Sequence, residues 1–129
     1  IGDNIEIKDA YIINIAVIFE IIVLPEYNNS EVLINCIKNL KNHFNIEKWQ
    51  INQPIILKDL YIKIDQVKGV QTVKNIKITN KTGFNSSYSQ YGYDIEGATQ
   101  SETVYPSLDP SIFELKYPNS DIKGRVITY

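Results

Sequence analysis

From Tyr11 to Leu24 apolar residues fill every odd position from 13 to 23, in a run rich in β-branched side chains, and this two-residue period predicts a strand. The even positions carry Asn14 and Glu20 but also Ala16, Ile18, Ile22 and Leu24. A strand apolar on both sides is expected at the centre of a sheet, covered over much of both faces. A shorter alternation, Ile5 to Lys8, precedes it across a break at Asp9-Ala10 and predicts a separate short strand.

Pro25 ends the long strand, and the period then changes. Asn28 followed by Glu31 has the spacing of a capping box, so a helix is expected from about residue 29. Leu33, Cys36, Ile37, Leu40 and Phe44 form its apolar face, opposite Glu31, Lys38, Asn39, Lys41 and Asn42. A connector over 45–54 carries Trp49, expected to plug the end of a core. A second helix follows on Ile56 or Leu57, Leu60, Ile64 and Val67, with Gly69 as its left-handed stop and Lys58 a poor cap at its start. Val70, Thr72, Val73, Ile76 and Ile78 predict a strand, and Thr79 to Gly83 a turn.

After Gly83 no helical period is sustained, while residues 84–129 hold six of the nine tyrosines and three of the five prolines. Ile112 to Tyr117 and Gly124 to Tyr129 are the strand candidates there. The segment carries too many apolar side chains to stay in water, so it is expected to dock, with at least one strand pairing to another chain. The expected fold is α+β: a small sheet with two helices on one face, a strand-helix-helix-strand module over 11–83, then an extended arm with short strands over 84–129. Residues 1–10 read as the end of a preceding segment. Tyr88, Tyr91, Tyr93, Tyr105, Leu108, Ile112, Phe113, Leu115, Tyr117 and Ile122 are the candidate interface residues, because tyrosine offers large contact area with few rotors to freeze.

Composition narrows the function classes. At 129 residues the chain suits one core with an appendage. Thirteen basic residues against 15 acidic ones leave a net charge of −2, without the basic balance that nucleic acid requires. The run 11–24 is too short and too polar at Asn14 and Glu20 to cross a membrane, and the acidic, alternating first ten residues are unlike an export signal. One cysteine and one histidine, Cys36 and His43, are too few for a structural metal site. No Gly-x-Ser-x-Gly elbow and no glycine-rich phosphate loop is present, and carboxylate neighbours such as Asp94 with Glu96, or Asp3 with Glu6, read as solvated charge. No catalytic residue, cofactor, metal or small-molecule substrate is therefore expected. The Asn-x-Ser/Thr triplets at 28, 80 and 85 are expected to be caps and turns. Lysine outnumbers arginine 12 to 1 beside abundant isoleucine and asparagine, the bias of an AT-rich microbial or viral gene. With Ile1 first and no methionine, the chain is expected to be the C-terminal part of a longer protein.

The order strand, helix, connector, helix, then Gly69-Val70 opening a strand resembles the C-terminal module of baseplate J-like proteins from contractile phage tails. The arm is more specific: Val104-Tyr105-Pro106-Ser107-Leu108-Asp109-Pro110-Ser111-Ile112-Phe113-Glu114-Leu115-Lys116-Tyr117-Pro118, then Asp121-Ile122-Lys123-Gly124-Arg125-Val126. It is similar to the terminal segment of baseplate wedge subunits of T-even-like phages, and the resemblance covers about 11–129. Lys58 and the polar stretch Asn85 to Gln90 depart from it. The resemblance implies a structural virion protein, assembled in the host bacterial cytoplasm into the tail baseplate. It further implies contacts with other wedge subunits as a homodimer or higher oligomer, and transmission of the baseplate's rearrangement to sheath contraction. Two other functions fit the residues: a ferredoxin-like domain binding a small molecule, and a receptor-binding domain stacking tyrosines 88–93 on glycans.

Overall fold

The computed structural model describes residues 10–83 and 87–128, so the strand expected at Ile5 to Lys8 lies outside the described residues. The fold is α+β, organised around one long strand, β1 (Tyr11–Val23). Its odd residues Ile13, Ile15, Val17, Phe19 and Ile21 are wholly buried, as the period required. On the even side Asn14, Ala16 and Ile22 are buried but Ile18 is exposed, so the second face is only partly covered.

Two helices lie over the odd face. The first, α1 (Asn29–His43), starts where the Asn28 side chain accepts the Glu31 N–H at 3.0 Å. Its deepest residues are Val32, Cys36, Leu40 and, just past its end, Phe44, with Leu33 and Ile37 only partly buried. The buried stripe thus keeps Cys36, Leu40 and Phe44 and is turned by only about 40°, toward Val32, from the face the sequence suggested. Next come β2 (Ile55–Ile56) and α2 (Leu57–Asp65), with Leu60, Ile64 and Val67 in the core. Gly69 has φ +99°, and a Cβ there would come within 2.7 Å of Val32 and 2.9 Å of Tyr27, so conformation and space both require glycine.

Along one edge of β1 runs β3 (Val70–Asn80), antiparallel, from the Ile15–Asn80 pair to the Val23–Val70 pair with irregularities after Glu20 and after Ile22. The arm occupies the other edge. After a small hairpin of β4 (Thr99–Gln100) and β5 (Thr103–Val104), β6 (Ser111–Glu114) pairs in parallel with Tyr11–Asn14. A single helical turn with Pro118 at its start, α3 (Pro118–Asp121), leads into β7 (Ile122–Val126), parallel to Val17–Ile21. The two strands lie end to end on β1, and β5 also pairs with β2 to form a second, three-stranded sheet.

This placement corrects four of the expected partner-facing residues. Ile112, Phe113, Leu115 and Ile122 are buried in the chain's own core beside Phe19 and Ile13. The strands are also shifted: 111–114 in place of 112–117, and 122–126 in place of 124–129, with Tyr129 outside the described residues. The physical reason is the free edge of β1, whose backbone groups need partners that only the arm supplies.

Three asparagine amides fasten the arm. The Asn14 Nδ2 donates to Glu114 Oε1 at 2.7 Å while its Oδ1 accepts the Ser89 N–H at 2.6 Å. Asn80 Nδ2 donates to the Asn14 carbonyl and its Oδ1 accepts the Tyr93 N–H, carrying residues 89–93 across the Asn14–Asn80 end of the sheet. Asn52, at φ 64°, donates its N–H to the Ser111 carbonyl and accepts the Ser111 N–H on its side chain, mimicking a strand pair.

The β4–β5 turn holds Ser101 at φ 51° and Glu102 at φ 64°, the two left-handed positions of a type I′ hairpin occupied by side chains that disfavour them. The double substitution Ser101→Asn with Glu102→Gly, which supplies the residue types such a turn prefers, should raise stability by about 1 kcal/mol. The denaturant midpoint should rise at unchanged slope; no rise would mean the turn is not under strain.

Candidate functional site

The loop between β5 and β6 carries the most exposed large apolar side chain among the described residues, and it is held for sequence reasons. Pro106 and Pro110 bracket it, Ser107 Oγ donates to the Asp109 carbonyl at 3.1 Å, and Ser111 Oγ donates to the Ser107 carbonyl at 3.2 Å. From below, the Tyr91 hydroxyl donates to Ser107 Oγ at 3.1 Å and the Tyr93 hydroxyl to the Tyr105 carbonyl at 2.5 Å. At the loop's two ends the Tyr105 N–H reaches the Ala98 carbonyl and the Tyr11 N–H the Pro110 carbonyl. On this scaffold Leu108 is 100% exposed, with Tyr105 beside it at 49%.

Under the loop lies a groove of about 480 Å3 lined by Tyr93, Tyr105, Gln100, Asn52, Ser107 and Leu108 among others. Of the residues singled out in the sequence, Tyr91, Tyr93, Tyr105 and Leu108 meet here. Tyr11 joins them unannounced: its ring stacks on Tyr91 with centroids 4.6 Å apart, and it remains 52% exposed. Gln100 and Asn52 were also not singled out, because a polar residue beside a two-residue strand has no periodic signature.

Tyr88 and Tyr117 form a separate cluster, edge to face at 5.4 Å. The Tyr88 hydroxyl donates to both oxygens of the buried Asp121 carboxylate, at 3.0 and 2.8 Å. Desolvation first, and then that carboxylate, push the phenol up to about 12. Ser87 ties to this cluster through the Tyr117 hydroxyl and through Lys116.

No protein-family model and no curated protein matches the chain. The geometry is left to carry the reading.

Among the described residues no group of three or more potential metal ligands comes together. Asp94 serves its own turn, accepting the Gly97 N–H at 3.0 Å, and Asp3 and Glu6 lie outside the described residues. A polar hollow of about 350 Å3 lined by Asn39, Asn42, His43, Lys48, Lys63 and Gln66 has no carboxylate in its wall. It sits at the C-terminal ends of α1 and α2, whose free carbonyls attract cations, so these side chains complement the helix ends and do not make an anion site. Trp49 packs on Phe44 at 5.2 Å and closes this end of the core, its indole N–H buried with no partner among the described residues.

His43 is half-buried, its ring edge against Phe44 and Trp49. Burial lowers its pKa below the usual histidine value of 6.5, Asp59 opposes that and Lys63 reinforces it. The unfolded chain then binds the proton more readily than the folded one. Stability should therefore be full above about pH 6.5 and fall as pH drops through the folded value. In His43→Gln that segment of the pH profile should flatten; an unchanged profile would assign the slope elsewhere.

Cys36 is wholly buried and burial pushes its thiol up to about 12. Alkylation should be negligible in native protein and complete in denaturant, and rapid native labelling would contradict the packing of α1.

Proposed function

We propose that the chain is a structural assembly protein that docks through the Leu108 loop, and that its setting is the baseplate wedge of a contractile phage tail, as the terminal region of a wedge subunit. One observation carries the docking reading: Leu108 is wholly exposed on a loop whose backbone is already fixed. An apolar side chain of this size forgoes roughly 1.5–3 kcal/mol while it stays in water. A floppy loop would turn it inward; a preorganised one presents it, and little entropy is lost when a partner covers it. Supporting the phage setting is the resemblance of 104–118 and 121–126 to the wedge-subunit terminus. On this reading the docked arm passes the baseplate's rearrangement on toward the sheath.

A glycan-binding function has one observation in favour: the half-exposed Tyr105 ring stands beside the amides of Gln100 and Asn52. Against it, the rings of Tyr88, Tyr91 and Tyr93 are engaged by Tyr117, Tyr11 and Phe113.

The test is incorporation. Purified tails should contain the chain, and tails assembled with the Leu108→Asp variant should lack it while the variant itself melts like the wild type. Absence of the wild-type chain from tails removes the phage setting. Normal incorporation of the variant removes the docking role of the loop.

A further inference from the structure

We propose that the open face of the main sheet, centred on Ile18, is the socket for the Leu108 loop of a second copy, so that copies associate head to tail. This deepens the docking reading above and rests on it.

Register places the socket. Residues paired directly across neighbouring strands share a face. Ile18 pairs with Lys77 on β3 and with Lys123 on β7, and Glu20 pairs with Asn75 and Arg125. The face away from the helices therefore shows Ile18, 44% exposed, between two exposed lysines, with Arg125 alongside. Of the carboxylates that the register puts on this face, Glu20 is bound by Arg125 and Glu114 by the Asn14 amide at the far end. An apolar centre framed by cations stands out on a chain whose net charge is −2.

The loop has the opposite character. Between Lys81 and Lys116 the chain carries Asp94, Glu96, Glu102, Asp109 and Glu114 and no basic residue. On the loop itself Asp109 adjoins Leu108, and both are exposed. Knob and socket thus match twice: apolar centre to apolar centre, and the Asp109 carboxylate to the basic rim.

The loop cannot reach the socket of its own chain. Its base is bonded to Tyr11, and Ile18 lies seven residues along β1, roughly 23 Å away at strand spacing. Because knob and socket are different surfaces, the contact is heterologous and propagates as a ring or an open chain.

Light scattering at rising concentration and low salt reads the assembly. Wild type should grow beyond a dimer, and salt should reverse the growth. The socket variant Lys77→Glu with Lys123→Glu, and the knob variant Leu108→Asp, should each self-associate about a hundredfold more weakly. Mixed, they should form a 1:1 dimer and nothing larger, since each retains the surface the other lacks. That rescue requires both variants to be folded. No complex on mixing, or wild-type assembly by the socket variant, overturns the proposal. A strictly monomeric wild type overturns it as well, yet leaves the docking reading to stand on incorporation into tails.

Discussion

Gly124→Ala should be among the most damaging single substitutions in the chain. Gly124 lies opposite Phe19 in the β1–β7 ladder, and a Cβ there would stand 2.2 Å from the far end of the Phe19 ring and under 3 Å from the two neighbouring carbons. The end of a side chain usually gives way, but Phe19 is wholly buried among the helices and cannot. Overpacking of this kind costs about 3 kcal/mol, a fall in melting temperature of roughly 10 °C for a chain of this size. Gly92→Ala is the control: nothing lies within 4 Å of its added methyl, so its effect should stay within about 0.5 kcal/mol. Adding Phe19→Leu to Gly124→Ala should cost less than the two changes summed, because the smaller side chain makes the room. A Gly124→Ala protein that melts with the wild type would mean that β7 does not lie under Phe19.

Gly124 also shows how far the sequence could be read. A glycine inside a strand marks a close approach, but which ring approaches depends on pairing with a strand more than a hundred residues earlier. The parts written in local periods came out well: β1, both helices, β3, the Asn28 cap and the Gly69 stop. Within α1 the period left two adjacent faces nearly equal, and the sheet chose Val32 over Leu33 because every fourth residue from 32 faces the core. The start of α2 looked uncapped at Lys58 since its partner is remote: Leu57 donates its N–H to the Glu102 carbonyl at 2.9 Å, across the arm. The arm's strands are two to five residues long, shorter than any period can register, and their placement is a property of the free edge of β1. Of the candidate site, Leu108 and three tyrosines were legible as apolar residues without a local home. That Leu108 stays exposed while Phe113 turns inward is decided by the loop's hydrogen bonds, which composition does not reveal.

Ending the chain after Gly83 should abolish cooperative folding altogether. An independent module over 11–83 would keep its own core, and its spectra would stay dispersed without the arm. The pairing points the other way. Tyr11–Asn14 obtain their ladder partners from β6, and Val17–Ile21 their second set from β7, so truncation leaves most of one edge of the central strand bare. The same cut removes Ile95, Val104, Ile112, Phe113, Leu115 and Ile122 from the core and opens Ile13 and Phe19 to water. Phe113→Ala, the mildest version of this loss, should already cost about 4 kcal/mol, against a total stability on the order of 5–15 kcal/mol. The truncated chain should therefore show no sigmoidal melt and a collapsed amide spectrum, and its exposed strand edge should make it aggregate. The intact protein should resist limited proteolysis within 111–126, because those backbone groups are tied into the sheet. A cooperative melt from the 83-residue fragment would make the arm an accessory and restore its apolar residues as candidates for a partner's surface.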